Sequence, residues 1–235
     1  MRYGWGAAPM NMMSSSQGSC SKQCVEKPMR EIDLLVLDGT AAEGPSSETK
    51  FGGLPSTDGR FLWPACKSCG GNMQFLGQVR RAGAQTLHLV FMCQNDPGVC
   101  SEWEADGGAN AVVCTGIDGL GIVDAPSDGE VVRAGPRYGA RVERVRAANY
   151  DTAREEWAQQ HSRRQRDVLG QIGGEAVWLQ GDETPNCDHC QKRMGFVAQL
   201  EAGPDHATEM NFGGGCGYLF ACDCAQASGK FLWQS

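Results

Sequence analysis

Apolar and polar residues alternate with the period of a β-strand in two neighbouring segments of the chain. The first segment is MQFLGQV at 73–79, and the second is TLHLVFM at 86–92. The glycine of RRAGAQ between them supplies a turn, so the pattern predicts an antiparallel β-hairpin. The residues expected to share one face are Met73, Phe75, Gly77 and Val79 in the first strand, and Leu87, Leu89 and Phe91 in the second.

The first of these strands belongs to a stretch that the chain contains twice. CKSCGGNMQFLGQV at 66–79 returns as CDHCQKRMGFVAQL at 187–200, a shift of 121 positions, with its cysteines, methionine, phenylalanine and glutamine in register. Beyond a short insertion, LHLVFMC corresponds to CGYLFAC, so we expect a second hairpin built like the first. The repeated mid-strand glutamines, Gln78 and Gln199, are expected to bond to the backbone rather than to a ligand.

Each copy carries four cysteines in an arrangement that suits a metal ion. A CxxC turn precedes the hairpin and two further cysteines follow it, so the four sulfur atoms are expected to meet at the hairpin's open end. Four thiolates in a tetrahedron form a structural zinc site, which predicts two zinc ions per chain. The predicted ligands are Cys66, Cys69, Cys93 and Cys100 in the first site and Cys187, Cys190, Cys222 and Cys224 in the second.

Other interpretations of the cysteines stay open. A redox-active CxxC is expected near a βαβ pattern, which is missing here, and buried cysteines without a metal are a further alternative. In the second site, Cys216 or His189 could replace Cys224, because a CxC pair is an unusual half-site. The cysteines that are expected to be free thiols, rather than half of a third site, are Cys20, Cys24 and Cys114.

The segment NYDTAREEWAQQHSRRQRDVLG, between the two copies, is the best helix candidate. Thr152 and Glu155 have the spacing of a capping box, the helix is expected over about 151–166, and Gly170 is expected to end it. The residues expected on one face of this helix are Ala153, Trp157 and His161.

These elements suggest an organisation in four parts. Residues 1–49 are expected to form an arm with one strand in IDLLVLD, and 50–126 the first repeat with its zinc site. Residues 127–169 are expected to connect the repeats through the helix, and 170–235 to form the second repeat. The expected fold is α+β and β-rich, with two tandem repeats of a zinc-clamped β-hairpin unit around a pseudo-twofold and one central helix.

Composition and charge narrow the classes of function. The 235 residues are 41 % hydrophobic, which is enough for a core, and the 32 glycines favour turns and short strands. No apolar run has the length of a signal peptide or a membrane span, so we expect a soluble, cytoplasmic protein in which cysteines bind metal rather than form disulfides. The net charge of −7, to which each four-thiolate zinc site adds about −2, disfavours nucleic acid and favours a basic partner.

The central segment is less acidic than the rest of the chain. From Arg137 to Asp167 it has eight arginines against five acidic residues, which leaves a nucleic-acid-binding zinc protein as an alternative. No catalytic constellation is evident, because His88, His161 and His206 have no nucleophile or carboxylate at a spacing that identifies a partner. We therefore expect no enzyme activity; an enzyme with its site in the groove between the repeats is the remaining alternative.

Several motifs of the chain resemble the zinc-bearing branch of the YwqG-like family of uncharacterised domains, over most of 50–235. They are FGGLPS, GRFLWPACKSCGGNMQFLGQV, LVFMCQNDPGVCSEW, IGGEAVWLQGDETPNCDHC, GCGYLFACDC and GKFLWQS. A more distant similarity is to the programmed-cell-death-protein-two family, whose members are thought to chaperone a ribosomal protein. In related sequences the last ligand pair often consists of a cysteine and a histidine shortly after it, whereas this chain has Cys222 and Cys224 at that place.

The resemblance implies a duplicated β-rich scaffold with no accepted enzyme activity, and roles as an immunity protein near bacterial toxin systems. Together with the acidity and the duplication, it leads to one expectation about function. We expect a zinc-stabilised cytoplasmic protein-binding module that sequesters or chaperones a basic protein partner, such as a toxin or a ribosomal protein.

Overall fold

The computed structural model contains twelve strands, one α-helix and one 3₁₀ turn among the residues that it describes, which are 1–4, 28–41, 44–59, 61–132, 137–224, 226 and 228–235. The strands are β1 (Arg30–Thr40), β2 (Lys50–Phe51), β3 (Ser56–Thr57), β4 (Gln74–Arg80), β5 (Thr86–Met92), β6 (Asn110–Gly116), β7 (Gly121–Ile122), β8 (Tyr138–Ala147), β9 (Val168–Ile172), β10 (Gly195–Glu201), β11 (Cys216–Cys222) and β12 (Ser228–Gln234). The helix α1 spans Tyr150–Gln160, and the 3₁₀ turn spans Gln165–Asp167.

Ten of these strands close into one barrel. Its order is β1-β8-β2-β4-β5-β6-β12-β11-β10-β9, and β9 pairs with β1 to complete the circle. The strands β3 and β7 form a separate two-stranded sheet. The expected β-rich α+β class is confirmed, and the predicted hairpin at 73–92 is present as β4-β5, with β10-β11 as the second hairpin.

The strand β8 comes from a segment in which the sequence predicted only a connection and a helix. It lies between β1 and β2 and pairs antiparallel with both. It carries three exposed arginines, Arg141, Arg144 and Arg146. The strand expected in IDLLVLD lies within β1. The arm supplies β1 and the connecting segment supplies β8. The pairing of these two strands joins the side of the barrel that holds β4-β5 to the side that holds β10-β11.

Both faces of the two hairpins are buried. One apolar cluster, which draws Leu35, Phe51, Met92, Leu219 and Phe231 from five different strands, fills the interior of the barrel. A second cluster covers the outer face of β4-β5 and includes cysteines of the first predicted site. A third cluster covers β10-β11 and includes the cysteines of the second. The cysteine groups therefore lie outside the barrel, each beside its own hairpin.

A β-bulge changes which residues of β4 share a face. The register with β5 shifts between Phe75 and Gly77, so the alternation of side chains slips by one position. Phe75 packs in the outer cluster, whereas Leu76 and Val79 both pack in the barrel interior. The expectation that Phe75 and Val79 share one face is therefore wrong. The residues Leu87, Leu89 and Phe91 of β5 do pack together, as predicted.

The helix α1 begins and ends earlier than the sequence predicted. Its N-cap is Asn149, whose side-chain oxygen accepts a 2.9 Å hydrogen bond from the Thr152 N–H, so the capping box that starts at Thr152 is wrong. At the other end, Ser162 has a φ of +51°, and the N–H groups of Ser162 and Arg163 donate to carbonyls of the last turn. This closing motif ends the helix at Gln160 instead of near 166.

The helix packs on the outer face of β1, β8 and β9 through one side. Its buried residues are Tyr150, Ala153, Trp157 and Ala158. His161, predicted on the same face, lies past the helix end, where it is exposed and stacks on Trp157 with ring centres 4.6 Å apart. Among the described residues, no helix has the length and apolar content needed to cross a lipid bilayer.

Candidate metal centres

The first cysteine group, which we call site 1, consists of Cys66, Cys69, Cys93 and Cys100. The CxxC pair forms a turn immediately before β4, Cys93 follows the end of β5, and Cys100 lies on the loop beyond it. The four Sγ atoms all lie within 4.8 Å of one another, and those of Cys69 and Cys93 are 3.7 Å apart. Zn–S bonds of about 2.3 Å in a tetrahedron place sulfurs ~3.8 Å apart, so this spacing fits a single ion.

Backbone hydrogen bonds hold the CxxC turn of site 1 in shape. The Cys66 N–H donates to the Gly71 carbonyl over 2.8 Å, and the Gly70 N–H donates to the Cys66 carbonyl over 2.8 Å. Gly70 has a φ of +74°, a conformation that glycine adopts without strain. The side-chain amide of Asn95 lies 3.8 Å from Cys69 Sγ and 3.6 Å from Cys93 Sγ, so it points an N–H donor at the sulfur atoms.

The second group, site 2, consists of Cys187, Cys190, Cys222 and Cys224, and its sulfur atoms meet the same 4.8 Å limit. The Sγ atoms of Cys190 and Cys222 are 3.5 Å apart, and those of Cys187 and Cys224 are 3.8 Å apart. The turn is held as in site 1: the Cys187 N–H donates to Lys192, and the N–H of Gln191, with a φ of +59°, donates to Cys187. The structure therefore brings together all eight predicted cysteines in the two predicted groups.

The alternatives for the fourth position of site 2 lie elsewhere. Cys216 is at the opposite end of β11 from Cys222, and its thiol donates to the Tyr218 hydroxyl over 3.1 Å. His189 is exposed and does not belong to the group of four. Among the described residues, Cys224 is therefore the fourth member of site 2.

Of the three cysteines without a predicted role, Cys114 is the one whose position the structure describes. It is half-buried on β6, outside both groups, and burial raises the pKa of its thiol to about 11. Cys20 and Cys24, the CSKQC pair, lie outside the described residues.

The electrostatics of the two groups favour a bound cation. A hydrogen bond from the Gly71 N–H lowers the pKa of the Cys69 thiol to about 7, and one from the Ser228 hydroxyl, 3.2 Å away, lowers that of Cys187 to about 6. Burial raises the pKa of Cys93 and Cys100, because a thiolate at these positions loses its hydration and adds a like charge. Four ionised sulfurs this close repel one another, and a divalent ion between them offsets part of that repulsion.

One residue that the sequence interpretation missed connects the two sites. The ammonium of Lys230, on β12, donates to Asp106 in the loop after Cys100 and to Asp188 inside the CxxC turn of site 2, the latter over 2.7 Å. The Lys230 side chain is only 9 % exposed, although both carboxylates face solvent. No spacing along the chain indicates this contact, since Asp106 and Lys230 are 124 positions apart.

The histidines occupy positions that fit structural roles. His88 is buried on β5, with Nδ1 3.3 Å from the Val79 carbonyl, and His206 lies on the surface 3.2 Å from a Glu209 carboxylate oxygen. His161 stacks on Trp157, and none of the three belongs to a cysteine group.

No protein-family model matches the chain, and no curated protein matches its sequence significantly.

Proposed function

We propose that the protein is a zinc-stabilised protein-binding module that sequesters or chaperones a basic partner in the cytoplasm. The observation that supports this proposal is the pair of four-sulfur groups, each of which fits one tetrahedral ion at the end of a barrel hairpin. Two predictions from resemblance agree with it: an immunity role, from the YwqG-like family, and chaperoning of a ribosomal protein, from the more distant programmed-cell-death-protein-two family.

Zinc is the ion that suits these sites best. Soft thiolate ligands in a tetrahedron select zinc or iron–sulfur chemistry, and CxxC knuckles paired across a hairpin are typical of structural zinc. Four thiolates fill the coordination sphere, so no position is left for a water or a substrate. We therefore infer that the metals stabilise the fold and that the protein is not a zinc enzyme.

The same backbone hydrogen bond occurs in both copies, between residues whose numbers differ by 121, and this supports a duplicated unit. The Met73 N–H donates to Pro64, and the Met194 N–H donates to Pro185, each over 2.9 Å. The strand order agrees with a duplication. One side of the barrel has the order β8-β2-β4-β5-β6, and the other side has the corresponding order β1-β9-β10-β11-β12. We infer two copies of one zinc-clamped hairpin unit around a pseudo-twofold, joined where β6 meets β12 and where β1 meets β8.

The surface beside site 1 supports a basic partner. Asp96, Asp128 and Glu130 are exposed, and none of them forms an ion pair with another described residue. Asn95 joins this surface to the metal site, because its amide approaches the sulfur atoms while its oxygen accepts a 3.2 Å hydrogen bond from the Glu130 N–H. The excess negative charge of a four-thiolate site adds to the field of these carboxylates, which would attract a cationic surface.

Binding of nucleic acid through the arginine-rich segment receives less support. Arg144 makes a bidentate contact with Asp33, and Arg154 lies 3.0 Å from Glu201. The other arginines of the segment that pair with carboxylates are Arg141, Arg163, Arg164 and Arg166. Most of the positive charge of the segment is therefore paired with carboxylates of the same chain. A nucleic-acid phosphate would have to displace these carboxylates in order to bind.

The proposal is tested by affinity capture from natively expressing cells, followed by titration with the purified captured protein. The variant Asp96→Asn/Asp128→Asn/Glu130→Gln removes the acidic surface, and Asp151→Asn/Glu155→Gln/Glu156→Gln removes the same charge from the exposed side of α1. We expect a basic partner whose affinity falls with salt and is lost in the first variant only. No partner above background, or equal binding by both variants, would contradict the proposal.

A further inference from the structure

A lysine on the outer face of the barrel is largely buried and has no partner among the described residues. In the two-residue strand β2, Phe51 points inward and stacks on Tyr138 with ring centres 5.5 Å apart. Because side chains alternate along a strand, Lys50 points outward. Its neighbours in the register are Gln78 on β4 and Gly139 on β8, and the glycine has no side chain to cover the lysine.

The ammonium of Lys50 is not paired with any residue that the structure describes. Only 3 % of the residue surface is exposed, yet no hydrogen-bond acceptor or carboxylate in the described part of the chain pairs with its amine. Burial lowers the pKa of this amine, and the nearby positive charge of Arg137 lowers it further. An ammonium that has lost part of its hydration and has no counter-charge is stabilised by an anion that pairs with it.

Lys50 lines an open pocket of about 540 Å³, which is large enough for a small molecule. The charged residues that line the pocket are Lys50, Arg80, Arg81, Arg141, Asp38 and Glu48, so basic residues outnumber acidic ones. Arg80 is held by the Ser47 hydroxyl and the Ala84 carbonyl, and Arg141 lies 3.7 Å from Asp38. Within the described residues, Arg81 forms no hydrogen bond or ion pair, so it and Lys50 are both free to bind an anion.

We propose that this pocket binds a small molecule through a compact oxyanion, a phosphate or a carboxylate group, which pairs with the Lys50 ammonium and is completed by Arg81 at the rim. Pairing with the anion would give the ammonium a counter-charge and make charge-assisted hydrogen bonds, which are about twice as strong as neutral ones. The pocket is distinct from both metal sites, and its ligand is independent of the basic partner proposed above.

The test is a titration of the full zinc-loaded chain with inorganic phosphate and, separately, with acetate, followed by amide NMR spectra. For at least one of the anions, we expect saturable chemical-shift changes of the amide signals of Thr49, Lys50 and Gly139. Which anion binds distinguishes a phosphate site from a carboxylate site. Lys50→Met and Arg81→Met should each bind about tenfold more weakly or worse. Arg146→Met, which removes one positive charge from β8 outside the pocket, should bind like the wild type.

The stability of Lys50→Met without added anion provides a second readout. Because methionine retains the unbranched apolar stem of lysine and removes an unpaired charge, the variant should be as stable as the wild type or more stable. Loss of folding in Lys50→Met would show that the amine already has a structural partner, and would overturn the proposal. Binding of neither anion, or equal binding by Lys50→Met and the wild type, would overturn it as well.

Discussion

Gln78 and Gln199 lie 121 positions apart and make the same hydrogen bond: the side-chain oxygen of each accepts the backbone N–H of the residue 22 positions earlier. The donors are Ser56 and Val177, at 3.2 and 3.0 Å. Both glutamines are buried on the outer face of their hairpin strands, where they fix an incoming loop to the barrel. The expectation that these repeated glutamines bond to the backbone is confirmed.

Replacement of either glutamine by leucine should therefore destabilise the barrel. Gln78→Leu and Gln199→Leu each leave a buried N–H without its acceptor, which costs about 1–3 kcal/mol in the free energy of unfolding. Gln78→Leu should cost more, because its amide donates to the carbonyls of Ser46 and Glu48, whereas the amide of Gln199 donates to the Cys216 sulfur, a weaker acceptor. Denaturant unfolding measures both, with exposed Gln159→Leu on α1 as the control. Equal stability of all three variants would show that these bonds contribute nothing.

The two cysteine groups could be predicted from the sequence because the information is local. A CxxC turn brings two sulfurs together by itself, and the strand period of TLHLVFM places Cys93 back beside that turn. The strand β8 was missed because its charged residues resemble a solvated segment and its pairing with β1 joins distant parts of the chain. The strand β2, with two residues, is too short to show a period, and nothing near Lys50 indicates a pocket.

Loss of one ligand should release one metal and unfold the surrounding unit. Cys66→Ser and Cys187→Ser should each lower the free energy of unfolding by about 4 kcal/mol or more, because metal-binding energy is also folding energy. Each variant should retain about one zinc. Cys114→Ser serves as the control, since this thiol lies outside both groups, and it should keep both metals. A double variant that keeps its metal and its melting temperature would contradict this prediction.

The Lys230 bridge should contribute modestly to stability. Lys230→Met keeps the apolar stem and removes the ion pairs with Asp106 and Asp188, which are themselves exposed, so we expect a loss of about 1 kcal/mol. A double-mutant cycle with Asp188→Asn should give a coupling energy that shrinks as salt is added. A coupling of zero at low salt would mean that the bridge does not stabilise the contact between the two sites.

Stability should depend on pH through Glu201. Burial raises the pKa of this carboxyl, although Arg154 and the hydroxyl of Tyr150, 2.8 Å away, favour its charge. Relative to Glu201→Gln, the wild type is therefore most stable below about pH 4.5, the usual pKa, and loses stability as the pH rises through the raised value. Denaturant unfolding of both proteins at a series of pH values from about 4.5 upward measures the difference in their free energies of unfolding. A difference that stays constant or grows with pH would contradict the direction.

The measurement that tests the two metal centres most directly is elemental analysis of protein purified without added metal, with a thiol count under denaturing conditions. The account predicts two zinc ions per chain and all twelve cysteines as thiols after the metal is removed. A folded protein that contains no metal would contradict it, because the cysteine groups would then have to be held together by the barrel alone.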